Sequence, residues 1–410
     1  MNDQRRKRAG RRVVVAGAGM AGVRTAEALR EQGFTGPVTL IGAEPHPPYD
    51  RPPLSKGVLL GGAEGDGAAA FDVDFAGLDI DLRLGCEVTG VRVADKEVDT
   101  DQGPVGYDVL VAATGAHPVR LPGTAGAEGV HVLHNLDDAL RLRPVLDRHD
   151  SVVVVGAGWI GAEFTTAARA AGCEVTVVEA TGRPLSGALP AEVARPMGEW
   201  YTESGATLHT GARVERVEPG AVLLADGRRL AADAVVVGIG ARPATAWLSG
   251  AVELGPQGEV LADARLRASA PDVYAVGDCA SFPSARYGER LLIHHWDNAL
   301  QGARTVAEGI LDETPAAPYD PVPYFWSEQF GRFVQYAGHH AAADTTLWRG
   351  APEDPAWSVC WLREGRLVAL LAVGRPRDLT QGRKLIESGA TVDPDLVRDP
   401  ARPLKAAARR

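Results

Sequence analysis

The clearest pattern of hydrophobic and polar positions lies between residues 152 and 179. Val152 to Val155 form an unbroken β-branched run, which is typical of a parallel strand buried on both faces. A helix-like stretch follows from Ala162 to about Ala171, and Glu174 to Val178 predict a second strand. This order of strand, helix and strand predicts an α/β unit with a parallel sheet.

The same pattern occurs near the start of the chain. Val13 to Ala16 predict a strand, a helix-like stretch runs to about Gln32, and Val38 to Ile41 predict the next strand. Each copy is closed by a later strand that ends in Gly-Ala-x-Pro, within residues 108–118 in one copy and 233–243 in the other. The chain therefore contains two copies of one unit.

The segments around these units are less regular. Prolines oppose regular structure over residues 45–57, so we expect an ordered loop that leads to a helix near Leu54. Glycine, alanine and acidic residues at 61–70 predict a mobile loop, and alternation over residues 79–111 predicts a small β-unit.

The last part of the chain predicts a further domain. A strand from Val273 ends in Gly277-Asp278, and a helix from about Asn298 to Ile310 follows. After a proline-rich linker at 315–323, three strand-like runs and a terminal helix indicate an α+β domain, the runs being Phe333 to Tyr336, Trp357 to Leu362 and Leu367 to Val373.

A glycine loop joins strand to helix in each copy. Gly156, Gly158 and Gly161 form G-x-G-x-x-G, and Glu179 ends the next strand 18 residues after Gly161. The first glycine permits a tight turn, the second lets the backbone approach a pyrophosphate, and the third lets the helix pack on the strand. The helix N-terminus offers unpaired N–H groups to the anion, and the acid accepts hydrogen bonds from ribose hydroxyls.

The first copy repeats this motif with Gly17, Gly19 and Gly22, and Glu44 lies 22 residues after Gly22. Two such sites predict two bound dinucleotides. A flavin dinucleotide and a nicotinamide dinucleotide are the economical pair, because hydride passes readily from the second to the first.

We therefore predict an α/β fold with two Rossmann-like dinucleotide-binding domains, the second inserted in the first, plus a C-terminal α+β domain. The FAD-binding domain is predicted at 1–119 and 244–318, the NAD-binding domain at 120–243 and the C-terminal domain at 319–410.

Charge and cysteine content narrow the function. The formal net charge of −10 argues against a general nucleic-acid role. No C-x-x-C occurs, so neither a zinc site nor a redox dithiol is indicated, and few scattered cysteines are typical of the cytoplasm, the four being Cys86, Cys173, Cys279 and Cys360.

The N-terminus imitates an export signal. A basic run from Arg5 to Arg12 precedes an apolar stretch, but cleavage there would destroy the Gly17 loop. We interpret the run as a solvated tail. No stretch approaches the roughly 20 apolar residues that span a bilayer, so we expect no membrane partner. The cysteine usage favours a cytoplasmic protein.

Several short segments together resemble the putidaredoxin-reductase type of ferredoxin reductase. The resemblance runs from Val13 to about Ile386. Its specific segments are Arg51-Pro-Pro-Leu-Ser-Lys56, Ala113-Thr114-Gly115, Gly158-Trp-Ile-Gly-Ala-Glu163, Val276-Gly-Asp278, His295-Trp-Asp-Asn-Ala299 and Phe325-Trp-Ser-Glu-Gln329.

The resemblance implies an NADH:ferredoxin oxidoreductase that depends on FAD. Such an enzyme takes hydride from NADH and passes single electrons to a two-iron two-sulfur ferredoxin. That ferredoxin serves an oxygenase, either a haem monooxygenase or a Rieske dioxygenase. A monomer or weak dimer is expected.

The resemblance also implies site residues. For FAD they are the pyrophosphate loop Gly17, Gly19, Met20, Ala21 and Gly22, the ribose acid Glu44, the adenine neighbour Val88, the closure Ala113, Thr114 and Gly115, the ribityl contact Asp278, and the flavin neighbours Arg51, Lys56, Trp296 and Trp326. For the nicotinamide cofactor they are Gly156, Gly158, Trp159, Ile160, Gly161, Glu163, Glu179, Arg183 and Gly240.

The predicted catalytic residues are Lys56, Glu163 and Trp326. Lys56 can supply a cation near N5 of the flavin, and Glu163 can hold that ammonium in place. Each also has a plainer interpretation: a solvated lysine, a first-turn glutamate that favours the helix dipole, and a tryptophan that packs in the core. The family usually has arginine where this chain has His134, which would replace a fixed cation with a titratable one.

Two further questions concern the cofactor and the partner. Glu179 predicts NADH rather than NADPH, because a carboxylate repels a 2′-phosphate, although Arg183 could swing toward that phosphate. An arginine-rich surface would suit an acidic ferredoxin, and Arg375, Arg377 and Arg383 are candidates for it.

Two other functions compete. A disulfide or peroxide reductase needs a redox-active cysteine facing the flavin, and residues 42–56 contain none. A redox-sensing flavoprotein would form a slow, long-lived charge-transfer complex with NADH instead of turning over.

Overall fold

The computed structural model describes residues 10–61, 70–311 and 317–409. The predicted mobile loop at 62–69 and most of the basic N-terminal run lie outside the described residues, as does the start of the proline-rich linker. The chain forms two compact units, one of residues 1–50, 70–117 and 242–325 and the other of residues 51–69, 118–241 and 326–410. The strands Ala116–Pro118 and Ala241–Pro243 carry the chain between them.

The first unit is built on a parallel sheet of five strands. Valine and leucine dominate these strands because both faces are covered, and Val15 and Leu110 are fully buried. The spatial order of the strands is Val273–Ala275, Val109–Ala112, Val13–Ala16, Val38–Ile41 and Ile80–Arg83.

Among the described residues, two small sheets and two helices complete the first unit. Its helices are Met20–Glu31 and Trp296–Leu311, and they pack on each other. One small sheet contains Val88–Arg92, Glu97–Thr100 and Val105–Gly106; the other contains Val260–Leu261, Ala280–Ser284 and Glu289–Leu292. Short 3₁₀ turns lie at Ala246–Leu248 and Gly277–Cys279.

The second unit repeats the parallel sheet. Its strand order is Thr207–Thr210, Glu174–Glu179, Ser151–Val155, Ala234–Val237 and Val130–His131. An antiparallel sheet of Val214–Glu218, Ala221–Leu224 and Arg229–Ala231 covers part of its core. The helices of this part are Leu136–Asp147, Trp159–Ala170, Ala191–Ala194 and Glu199–Glu203, with 3₁₀ turns at Pro52–Ser55 and Pro196–Gly198.

An antiparallel sheet follows at the C-terminal end of the chain. Its strand order is Tyr324–Gln329, Arg332–Gly338, Arg366–Val373, Trp357–Arg363 and Thr345–Arg349. The helix Pro376–Ser388 packs on this sheet, and the helix Pro394–Arg398 and the 3₁₀ turn Leu404–Ala407 end the chain.

The predicted fold class is confirmed, and most predicted strands lie within two residues of the observed ones. The helix expected from Ala162 begins at Trp159, because Gly158 already has extended backbone and acts as its N-cap. The helix expected near Leu54 is only a 3₁₀ turn, and the strands Tyr324–Gln329 and Thr345–Arg349 were not predicted.

The two units match the predicted domains only in part. The chain crosses between units within two residues of the predicted boundaries at 119 and 243, but Arg51–Ala69 and the C-terminal sheet group with the second unit. The division into three domains stays a prediction. Among the described residues, no helix combines the length and the apolar character that crossing a bilayer requires.

Candidate functional site

The outer glycines of both loops are required by the fold itself. Gly17 and Gly156 have φ of +114° and +102°, and a Cβ atom at either would lie within 2.4 Å of a backbone oxygen. A Cβ at Gly22 would lie 1.8 Å from the carbonyl oxygen of Gly17, and one at Gly161 would lie 2.1 Å from that of Gly156. A side chain at the first glycine would collide with the backbone that follows the closing strand, and one at the third glycine would collide with the loop itself.

The middle glycines are not required by packing. A Cβ at Gly19 would meet nothing within 4 Å, and one at Gly158 would meet a single atom at 4.0 Å. Both residues are extended N-caps without a side-chain cap, and neither helix carries an acid in its first turn. Each loop therefore leaves room for an anion at a helix N-terminus, which fits the pyrophosphate of a dinucleotide.

Other predicted FAD residues of the first unit gather at the carboxyl end of its parallel sheet. A Cβ at Gly17 would collide with Ala113, so the Ala113-Thr114-Gly115 closure lies directly against the first loop. A Cβ at Gly277 would lie 3.0 Å from the Cβ of Ala21, which places Asp278 beside the same loop. Ligands of open α/β sheets bind at this end of the strands.

Two side-chain hydrogen bonds, one from a tyrosine and one from a tryptophan, hold further predicted residues of this unit in place. The hydroxyl of Tyr49 donates to Glu44 at 2.5 Å, and the Nε1–H of Trp296 donates to Asp50 at 2.7 Å. The strand that begins at Val88 lies near Glu44, because Gly85 donates its amide to the Glu44 carbonyl at 3.0 Å. Tyr49 and Asp50 were not predicted, and their only sequence signal is their place in the proline-rich loop.

The two histidines before Trp296 differ in environment. His294 Nδ1 lies 3.6 Å from Asp278, beyond hydrogen-bond distance. His295 stacks on Phe325 with ring centroids 4.2 Å apart. Burial lowers the pKa of His295 to about 4, so this ring is neutral at physiological pH.

In the second unit, the Glu179 carboxylate is hydrogen-bonded to the glycine loop of the same unit. One carboxylate oxygen accepts from the amide of Ala157 at 2.9 Å, and the other accepts from the amide and the hydroxyl of Thr181 at 2.8 and 2.7 Å. A carboxylate offers about four acceptor positions, so about one remains for a ribose hydroxyl. Thr181, which sequence reasoning missed, thus orients the predicted ribose acid.

Other residues predicted for the nicotinamide site lie in the same unit. The Nε of Arg183 is buried and meets no acceptor among the described residues, so it suits an anionic group of a cofactor. Ile160, and Ile239, which lies close to Gly156, are 44% and 39% exposed, which is unusual for isoleucine. Gly240 has φ of +109°, a conformation that favours glycine.

Lys56 and Glu163 form a largely buried ion pair. Lys56 Nζ lies 2.8 Å from Glu163 Oε2, and the two side chains are 22% and 6% exposed. The hydroxyls of Ser55 and Ser327 also donate to Glu163. The pairing of these two predicted residues is therefore present in the structure, whereas both serines were missed.

The plainer interpretation of Glu163 is wrong. Because the helix begins at Trp159, Glu163 is its fifth residue and lies beyond the first turn. Its carboxylate faces Lys56 rather than the helix N-terminus. Lys56 is likewise not a freely solvated lysine.

The structure says less about two other predicted residues, Arg51 and Trp326. Arg51 donates to the backbone carbonyl of His134 at 2.6 Å, so these two residues are neighbours. Trp326 is half-buried and adjoins Ser327 on the strand Tyr324–Gln329. Their roles toward a flavin stay predictions.

The cysteines offer no redox centre. All four are free and buried. Burial raises the pKa of Cys279 to about 11 and that of Cys360 to about 12, and it also raises the pKa of Cys173. These thiols are therefore protonated at neutral pH and are poor nucleophiles.

Comparison with known proteins agrees with this geometry. Residues 11–303 match the model of the pyridine nucleotide-disulphide oxidoreductase family, and residues 324–408 match that of the reductase C-terminal domain. The chain belongs to the pyridine nucleotide-disulphide oxidoreductase family. The predicted oxidoreductase class and the predicted FAD and NADH cofactors are confirmed by this membership and by the relatives below.

Three relatives define the branch of the family. The ferredoxin–NAD(+) reductase component of the p-cumate 2,3-dioxygenase system of Pseudomonas putida is 34% identical, over 96% of this chain and 98% of that protein. The crystal structure of Fdr9 matches with a TM-score of 0.90 and 43% identity, covering 96% of this chain and 99% of that one. Putidaredoxin reductase, in its covalent complex with putidaredoxin, matches with a TM-score of 0.90 and 32% identity, covering 97% and 99%. The predicted resemblance to the putidaredoxin-reductase type is confirmed.

Proposed function

We propose that this chain takes hydride from NADH and delivers the electrons one at a time to a two-iron two-sulfur ferredoxin that serves an oxygenase. FAD, when bound, supplies the hydride acceptor and the conversion from two-electron to one-electron transfer. The partner class follows from the relatives, which are named as ferredoxin reductases of oxygenase systems or were crystallised with a ferredoxin.

One observation carries the proposal: two open glycine loops occur in a chain whose four cysteines are all buried and unpaired. The loops supply places for two dinucleotides. Because no thiol is available to take the electrons onward, an external one-electron carrier is the better acceptor. A disulfide or peroxide reductase would need a cysteine that the structure does not offer.

The residues of the chain have distinct roles in this proposal. In the first unit, Gly17 to Gly22 would bind the FAD pyrophosphate, and Glu44 would accept from the adenosine ribose. In the second unit, Gly156 to Gly161 would bind the NADH pyrophosphate, and Glu179 would accept from the nicotinamide cofactor's adenosine ribose. The helix N-termini supply about half a positive charge to each anion.

Lys56 would supply positive charge to the reduced cofactor, and Glu163 would keep its ammonium in place. The ion pair is only partly exposed, so water screens it less than a surface pair. Trp326 would contribute an aromatic face beside the flavin. We also propose a monomer or weak dimer.

The test compares electron acceptors under NADH. Purified two-iron two-sulfur ferredoxins from the same organism should be reduced at rates far above those for a small disulfide or for hydrogen peroxide. The fastest ferredoxin identifies the partner. Disulfide or peroxide reduction that outpaces every ferredoxin would overturn the proposal, and so would a stable NADH complex without turnover.

A further inference from the structure

A buried polar pair lies on the strand Tyr324–Gln329. Ser327 and Gln329 are two residues apart, so they share one face of the strand. They are 1% and 2% exposed, whereas Glu328 between them points to solvent. Polar side chains buried this deeply require hydrogen-bond partners. Here the hydrogen bonds form a chain in which each donor points toward the next acceptor.

The direction is set by the single proton of a hydroxyl. Gln329 Nε2 donates to the hydroxyl oxygen of Ser327 at 3.1 Å. The Ser327 hydroxyl lies 2.7 Å from Glu163 Oε1. Because the Ser327 oxygen accepts from the amide, its proton is directed to the carboxylate. Consecutive bonds aligned in this way strengthen one another.

The chain of bonds ends at the ion pair. Glu163 Oε2 accepts from Lys56 Nζ at 2.8 Å and from the hydroxyl of Ser55. Glu163 Oε1 depends on Ser327, since its other contact, the amide of Glu328, is 3.4 Å away. Without Ser327, one oxygen of a carboxylate that is only 6% exposed would lack a good donor.

We propose that Ser327 and Gln329 are positioning residues, which fix the Glu163 carboxylate and through it the ammonium of Lys56. This inference rests on the proposed function, in which that ammonium serves the reduced cofactor. The two residues act through Glu163, so their loss loosens Lys56 without removing its charge. The sequence spacing Ser-x-Gln on a strand brings the Gln329 amide to the Ser327 hydroxyl, and that hydroxyl reaches the Glu163 carboxylate.

The experiment measures the reactivity of Lys56 directly. The FAD-bound protein is treated with a trace of acetic anhydride, and acetylation of Lys56 is quantified by peptide mass spectrometry. An ammonium held in an ion pair reacts slowly. Ser327→Ala should raise the Lys56 labelling rate about tenfold, since a hydrogen bond to a charged group is lost. Gln329→Met should raise it about threefold, and Ser327→Thr should stay near wild type.

A matched control separates positioning from general loosening. Ser358 is also a fully buried strand serine of the second unit, and its hydroxyl donates to Asp378 at 3.0 Å. Ser358→Ala should lower stability by a similar amount and leave Lys56 labelling unchanged. Hydride transfer from NADH should slow in Ser327→Ala and not in Ser358→Ala.

The outcomes are decisive in each case. Unchanged Lys56 labelling in folded Ser327→Ala, or an equal rise in Ser358→Ala, would overturn the inference. If Ser327→Ala does not fold, the labelling rate of Gln329→Met decides in the same way. Because labelling needs no ferredoxin, a selective rise in labelling without any ferredoxin reduction by the wild type would support the positioning role and overturn the proposed function.

Discussion

Glu179 accepts a hydrogen bond from the amide of Ala157, 2.9 Å away and inside the glycine loop. The residue predicted to bind a ribose is therefore also a support for the loop predicted to bind a pyrophosphate. A change at Glu179 should affect the position of both groups, so its effect on NADH has two physical causes.

The chain should prefer NADH to NADPH by about a hundredfold in kcat/KM, because the Glu179 carboxylate would face a charged 2′-phosphate. Steady-state kinetics with both cofactors measure this ratio. Glu179→Ala should reduce this ratio, chiefly by lowering kcat/KM for NADH. The matched variant Arg183→Ala should not raise the use of NADPH. Equal use of both cofactors by the wild type would mean that Arg183 controls the pocket.

Lys56→Met should make the flavin harder to reduce. A cation at 4 Å in an effective dielectric of 20 contributes about 4 kcal/mol, which corresponds to a fall of at most roughly 90 mV in a two-electron potential. Lys56 is 22% exposed, so solvent should reduce the shift. Spectroelectrochemical titration measures it, with the exposed Lys384→Met as control. An unchanged potential and hydride-transfer rate would place Lys56 outside the site.

The cysteines should be dispensable. Each is buried and free, with no partner cysteine. Replacing Cys86, Cys173, Cys279 and Cys360 together with alanine should leave NADH-driven reduction of ferricyanide within about twofold of wild type. Circular dichroism and FAD content verify that the variant folds. Lost activity with FAD still bound would revive the disulfide-reductase interpretation.

Arg349 should be essential for stability. Its side chain is fully buried, and its guanidinium donates to both oxygens of Asp378 at 3.2 and 3.3 Å. It also donates to backbone carbonyls near the end of the chain, those of Val397, Asp399 and Arg402. Although burial raises the pKa of Asp378, hydrogen bonds from Arg349 and Arg375 hold it below its usual range, so the carboxylate stays charged.

Arg349→Met should lower the free energy of unfolding by about 3–5 kcal/mol, because it leaves a buried charge and several carbonyls without their donor. Urea denaturation measures the loss, and limited proteolysis should cut first within the helix Pro394–Arg398. The double variant Arg349→Met/Asp378→Leu should be less damaged than the single one. A loss below about 1 kcal/mol would show that the network contributes little.

The glycine loops could be predicted because their requirements are local. A positive φ at Gly17 and a close helix contact at Gly22 follow from one short motif. The pairing of Lys56 with Glu163 was predicted from the family resemblance, because no local pattern connects residues that lie 107 positions apart.

The supports of the site could not be predicted from the sequence. Ser327 contacts Glu163, which lies 164 positions earlier in the sequence. The mixed polarity of the segment that contains Ser327 did not indicate that it forms a strand. The contact of Thr181 with Glu179 is local, but a threonine two residues after a strand is too common to indicate it. Long-range hydrogen bonds of this kind depend on tertiary packing rather than on periodicity.

The central claim is that two-electron reduction by NADH becomes one-electron reduction of a ferredoxin. The direct measurement is anaerobic: NADH is added in small amounts to the enzyme with an excess of two-iron two-sulfur ferredoxin, and both absorbances are followed. The account predicts about two ferredoxins reduced for each NADH oxidised, over many turnovers, because a hydride carries two electrons and the cluster accepts one. A long-lived charge-transfer absorbance with no ferredoxin reduced would contradict it.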